Sequence, residues 1–165
     1  MMDYIIGIDP GNKETAFCLV SARTLAPVYF VKEENEKCLT DLLNTVQAVG
    51  LDNCEIVIER VASYGMAVGA EVFVTCEWIG EFRRAFKNIG IELKHIYRMD
   101  EKKTICHNSR ANDSTIRQAL IDRFAYGVPN KGKGNKAKPG WFYGFKADVW
   151  MAYAVAVTYA DMKER

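Results

Sequence analysis

Residues 4–20 read YIIGIDPGNKETAFCLV, and their order decides the fold. Tyr4-Ile5-Ile6 and Ile8 leave no polar alternation, so residues 4–9 predict a buried strand. Pro10-Gly11 turns the chain back at once, and TAFCLVS (15–21) predicts a second strand paired to the first across that turn. The buried strand therefore ends on a carboxylate, Asp9, where an acid needs compensation.

Working outward, PVYFVK (27–32) predicts a third strand. Leu39, Leu42, Leu43 and Val46 recur at helical spacing, predicting an amphipathic helix from about Glu36 to Gly50. CEIVIE (54–59) reads as a central strand, and it too ends on an acid, Glu59. Val72, Phe73, Cys76, Ile79, Phe82 and Phe86 mark a long helix over 70–88, with Arg83, Arg84 and Lys87 on its other side. IELKHIY (91–97) alternates as a fifth strand, and STIRQALIDRF (114–124) reads as a helix. KADVWMAYAVAVTYADM (146–162) is a last helix, apolar nearly all round and hence buried. This order predicts one α/β domain over residues 1–165, a mixed five-stranded sheet with helices on both faces.

Three acids then come into question together. Neighbouring strands lie about 4.8 Å apart, so adjacent first and fourth strands would set Asp9 beside Glu59. Asp148, in the first turns of the last helix, joins them if that helix crosses the same edge. Singly, each has a plain explanation: a turn acid, a strand end paired with Arg60, and a helix N-terminal acid favoured by the dipole. Together they require a cation, and all-oxygen ligands suit Mg²⁺ or Mn²⁺.

Composition narrows the class. The chain has 165 residues, 49% of them hydrophobic, with mixed charge, as in a soluble globular protein. No apolar run reaches the roughly 18 residues of a membrane span, and the N-terminus lacks a signal-type pattern. Five cysteines without a CxxC pair predict reduced, buried thiols in a cytoplasmic protein rather than a zinc site or disulfides. Residues 1–82 carry 5 Lys/Arg against 13 Asp/Glu, whereas residues 83–146 carry 15 against 5. A basic surface beside an acidic one suits nucleic acid and a cation site.

The basic stretches are RMDEKKTICHNSR (98–110), with Arg98, Lys102, Lys103 and Arg110, and NKGKGNKAKPGWFYGFK (130–146), with Lys131, Lys133, Lys136 and Lys138. The glycine-lysine segment predicts a mobile loop that neutralises phosphates. Trp141, Phe142, Tyr143 and Phe145 either stack on exposed bases or plug the last helix, and plugging is the preferred reading for Phe142 and Phe145. No nucleophilic triad competes: His95 sits in a strand pattern, and His107, alone in a polar segment, reads as a surface residue rather than a general base.

IIGIDPGNKETAFCLV, IVIERVASYGMAVG and ADVWMAYAVAV together resemble the RuvC-like Holliday-junction resolvases of the retroviral-integrase/RNase H superfold, most closely the small phage-encoded type. The resemblance covers nearly the whole chain. It implies a homodimeric crossover-junction endonuclease that cuts branched DNA with two divalent metals, in a bacterial or phage-infected cytoplasm. It assigns Asp9, Glu59 and Asp148 as metal ligands, and it places Tyr64 where family members carry a residue that probes the junction centre. The 70–88 helix, with aromatics beyond one core stripe (Phe73, Trp78, Phe82, Phe86), is the expected dimer face. One departure matters. The bacterial resolvases carry a fourth acid three residues before the helix aspartate, where this chain has Phe145. Either three carboxylates suffice or another acid, such as Asp113, substitutes. A ribonuclease H acting on RNA/DNA hybrids and a branch-binding protein without catalysis are the alternatives. An actin-like ATPase would need a second glycine-rich phosphate motif and a longer chain, so no nucleotide cofactor is expected.

Overall fold

The reversal after Asp9 organises the sheet. In the computed structural model, which describes residues 2–164, β1 (Tyr4–Asp9) and β2 (Glu14–Ser21) pair antiparallel, with Asp9 opposite Ala16. β3 (Pro27–Glu34) extends the sheet on the β2 side. It runs two residues beyond the expected strand, because Glu33 and Glu34 pair with Thr15 and Glu14 at a sheet edge, where charged side chains are tolerated. β4 (Cys54–Arg60) lies parallel to β1 on its other side, and β5 (Lys94–Tyr97) lies parallel to β4. The strand order is β3-β2-β1-β4-β5. β5 is shorter than the alternation over 91–97 predicts, because Ile91 and Leu93 leave the ladder and pack into the core.

Alternation along the strands divides the interior into two cores. Ile6, Ile8, Phe17, Leu19, Ile56 and Ile58 face α1 (Asn35–Val49) and α2 (Ala70–Asn88). Ile5, Ala16, Cys18, Val20 and Val57 face α5 (Val149–Lys163), which packs with α3 (Arg98–Cys106) and α4 (Asp113–Phe124). The architecture is the expected RNase H-like mixed sheet with helices on both faces, plus α3, which the sequence pattern does not reveal. RMDEKKTIC has no apolar stripe, so its helix depends on docking against α5 and α4 and on Asp100, which accepts the Tyr97 N–H at 2.7 Å.

α5 sits directly on β1. A Cβ at Gly7 would stand 2.2 Å from the Ala152 carbonyl oxygen and 2.6 Å from the Ala156 nitrogen, so only glycine permits the approach. The helix starts at Val149, later than expected, with Asp148 as its N-cap. Ala147 (φ 47°) and Gly144 (φ 83°) bend the preceding chain so that Phe142 and Phe145 insert beneath the helix against Trp150 and Tyr153. These two aromatics are the plug.

Three further expectations change. Residues 70–78 of α2 contain no buried side chain, and Phe73 and Cys76 are exposed; only Ile79, Phe82 and Phe86 enter the core. The cysteines are all free, but Cys76 is exposed and Cys106 half-buried, so only Cys18, Cys38 and Cys54 are core thiols. The 130–139 segment is a hydrogen-bonded hairpin rather than a loop without partners. The Gly140 N–H donates to the Lys133 carbonyl at 2.8 Å, the Lys138 N–H to Asn135 Oδ1 at 2.8 Å, and Gly132 is buried against Ala125 and Phe142. No helix among the described residues is long and apolar enough to cross a membrane.

Candidate active site

β1 and β4 run in register, with Ile8 opposite Ile58, so Asp9 and Glu59 follow as neighbours at the ends of two parallel strands. Ile8 and Ile58 face α1 and α2, and alternation therefore turns Asp9 and Glu59 toward α5. The turn after Asp9 is locked from α1: Asn35 Nδ2 donates to the Gly11 carbonyl at 3.0 Å, and the buried Thr15 hydroxyl donates to Asn35 Oδ1 at 2.6 Å. Asp148 arrives at the same end of the sheet as the N-cap of α5. Its Oδ2 lies 2.8 Å from Lys32 Nζ, which also reaches Glu14 at 3.4 Å. Hydrogen bonding to Asp148 holds the Lys32 pKa above its ordinary value.

Arg98, expected to meet DNA beside the metal edge, opens α3 among the acids themselves. Its Nη1 lies 2.7 Å from Glu101 Oε2 and 3.8 Å from Asp113 Oδ1, and its Nη2 lies 3.4 Å from Glu59 Oε2. Glu101 is fully buried and is the site acid that sequence reasoning missed. Its i,i+3 spacing from Arg98 is the one available signal, and in a segment so uniformly charged that spacing does not say which face is covered. Asp113 begins α4 at the rim, with its side chain 61% exposed. Phe145 is 1% exposed in the aromatic plug, so the position three before Asp148 belongs to the core and cannot present an acid.

The acids outnumber the cations. Burial raises the Asp9 pKa well above the carboxylate range, and Glu59, Asp148 and Asp113 add to the rise while Arg98 opposes it. Burial and the neighbouring Glu59 likewise push Glu101 up against the pull of Arg98. Burial works against the Arg98 charge, but Glu101, Glu59, Asp113 and Asp9 outweigh it and raise the Arg98 pKa. As carboxylates, Glu101 and Glu59 each keep one buried oxygen, Oε1 and Oε2 respectively, without a hydrogen-bond donor. An all-carboxylate donor set short of positive charge suits a hard divalent cation. Among the described residues, however, no three His, Cys, Asp or Glu side chains converge as a ready chelate. Lys32 holds Asp148 on one side, and Arg98 engages Glu59 and Glu101 on the other.

The remaining candidates lie outside this cluster. Tyr64 is 59% exposed, at φ 50°, in the segment between β4 and α2. Lys103 and Arg110 are exposed and Lys102 is half-buried; in the hairpin, Lys131, Lys136 and Lys138 are exposed and Lys133 is half-buried. His107 caps the C-terminus of α3 and is exposed, a helix length of about 13 Å from Arg98 at 1.5 Å per residue. His95 is exposed on β5.

No protein-family model matches the chain, and no curated protein matches it. Solved structures do. The structure of Thermus thermophilus RuvC aligns at TM-score 0.67 and 14% identity, over 98% of this chain and 95% of that one. The T. thermophilus RuvC in complex with Holliday junction substrate aligns at TM-score 0.69 and 14% identity, over 97% and 96%. The chain therefore has a RuvC-like fold from end to end.

Proposed function

We propose that this protein is a divalent-cation-dependent endonuclease that hydrolyses phosphodiesters of branched DNA, such as Holliday junctions, forks or flaps, and that it acts as a homodimer. The observation that carries the proposal is that Asp9, Glu59 and Asp148, from three separate elements, stand at the same end of the sheet, where Glu59 and Asp148 both raise the Asp9 pKa. The end-to-end likeness to a protein solved on a Holliday junction supports the choice of substrate. The phage-encoded subtype rests on the sequence motifs alone.

Asp9, Glu59 and Asp148 would hold two Mg²⁺ or Mn²⁺ ions, which would supply the Lewis acidity that phosphodiester hydrolysis needs. Asp9 would be the most rigidly placed of these ligands, because Asn35 and Thr15 immobilise the turn behind it. The Gly7–Ala152 contact keeps the Asp148 end of α5 against the sheet. Lys102, Lys103 and Arg110, with Lys131, Lys133, Lys136 and Lys138 of the hairpin, neutralise backbone phosphates. Arg98 acts with them only through its charge beside the acids. Tyr64 is free to meet the junction centre. Phe82 and Phe86 belong to the core, so the dimer face consists of exposed Met66, Val68, Phe73 and Val74.

The test is cleavage of labelled four-way junctions, forks, linear duplex and RNA/DNA hybrid in Mg²⁺ or Mn²⁺, with light scattering for the dimer. Branched DNA should be cut in preference. Preferential cutting of the hybrid would make the protein a ribonuclease H. Junction binding without cleavage would make it an inactive branch binder, the reading that the missing acid at position 145 favours.

A further inference from the structure

A buried carboxylate requires a partner for each oxygen. Glu101 has no exposed surface, and Arg98 satisfies only its Oε2, at 2.7 Å. Its Oε1 has no donor, and neither does Glu59 Oε2 on the other side of the same guanidinium. We propose that Glu101 stands in for the acid missing at position 145: with Glu59 it forms a carboxylate pair that takes one divalent cation, and Arg98 is the internal cation that this ion displaces.

The other two ways of completing the site are weaker. Position 145 is filled by a core aromatic. Asp113 is mostly exposed and stands 3.8 Å from Arg98, so water can satisfy it. Glu101 alone combines full burial with an unfilled oxygen. A guanidinium and a divalent ion cannot both be full partners of one carboxylate pair, because like charges at that spacing repel strongly in a dry setting. Arg98 has a way out. It sits at the start of α3 with its side chain 27% exposed, and Asp113 at the rim offers it a second carboxylate. This gives Asp113 a role other than that of metal ligand.

The inference rests on the nuclease reading for the nature of the cation, and it is tested without cleavage. Mn²⁺ and Mg²⁺ binding to the DNA-free protein is measured by calorimetry, with electron paramagnetic resonance of free Mn²⁺ as a check. Glu101→Gln, of equal size, should weaken one of two ions by about 10–100-fold. Arg98→Gln should tighten the same ion by about tenfold, since it removes the competing charge. Asp113→Asn should weaken the same ion by only a few-fold, less than Glu101→Gln does, since it removes the rim carboxylate that receives Arg98. Unchanged binding by Glu101→Gln, or weaker binding by Arg98→Gln, would make the pair a structural ion pair and overturn the proposal. If circular dichroism shows that Glu101→Gln does not fold, the sign of the Arg98→Gln effect decides alone. A wild-type protein that binds and cleaves while Glu101→Gln binds normally refutes this inference only. A wild-type protein that binds no divalent ion refutes the nuclease reading as well.

Discussion

The two ends of α5 both carry acids, and they are balanced in opposite ways. At the C-terminal end, Asp161 takes Arg123 through two bonds of 2.6 and 3.0 Å, and Lys163 reaches Glu55 at 2.7 Å. Asp161 and Glu55 there each have their own cation. At the N-terminal end, Asp9, Glu59, Glu101, Asp113 and Asp148 share Arg98 and Lys32, and Lys32 is divided with Glu14. Matched surface pairs contribute about 0–1 kcal/mol and ask for nothing further. Crowded, buried acids destabilise the fold unless a cation joins them, which is why Asp9 and Glu101 hold their protons more tightly than usual. Charge imbalance, more than acid count, distinguishes a site from a set of ion pairs.

Substitutions can break that comparison. Asp9→Asn should leave the fold and junction binding intact while cleavage falls by roughly three orders of magnitude or more, because Lewis-acid stabilisation is worth several kcal/mol. Near wild-type cutting of a labelled junction by this variant would remove the N-terminal end of α5 as the site. Phe145→Asp, which writes the resolvase acid into this chain, should destabilise by about 3–5 kcal/mol in urea unfolding, since it sets an unpaired charge in the aromatic plug. A stable variant with stronger Mn²⁺ binding would mean that position 145 can reach the acids after all.

The hairpin sharpens the picture from outside both ends. Changing Lys131, Lys133, Lys136 and Lys138 to alanine should flatten the salt dependence of junction affinity by up to roughly 3–4 units of log–log slope, with Mg²⁺ affinity unchanged. An unaltered slope would leave phosphate binding to residues 83–110. Gly7→Ala should lift α5 from β1 at a cost of about 1–3 kcal/mol in unfolding free energy, with slower cleavage as Asp148 shifts. An unchanged urea midpoint would show that the contact relaxes freely. The smallest effect belongs to the matched end. Asp161→Asn should change stability by no more than about 1 kcal/mol and leave the cleavage rate alone. A large loss of activity there would erase the distinction between the two ends.

The amino-acid order by itself determined the five strands, four of the five helices and the acids at the ends of β1, β4 and the last helix. Those features follow from local rules: unbroken apolar runs, a Pro-Gly reversal and 3.6-residue spacing act over a few residues and survive in any context. Tertiary structure alone decided the rest. RMDEKKTIC carries no stripe that says which side is covered, so only docking on α5 makes it a helix, buries Glu101 and sets Arg98 between that acid and Glu59. The start of α2 has a fully helical pattern, yet it stays exposed because its first two turns pack no side chain into the core. Likewise, 130–139 looks featureless until Gly132 finds Phe142 and the backbone bonds close the hairpin. A charged or glycine-rich segment carries no local burial code, so its place depends on partners far away in sequence.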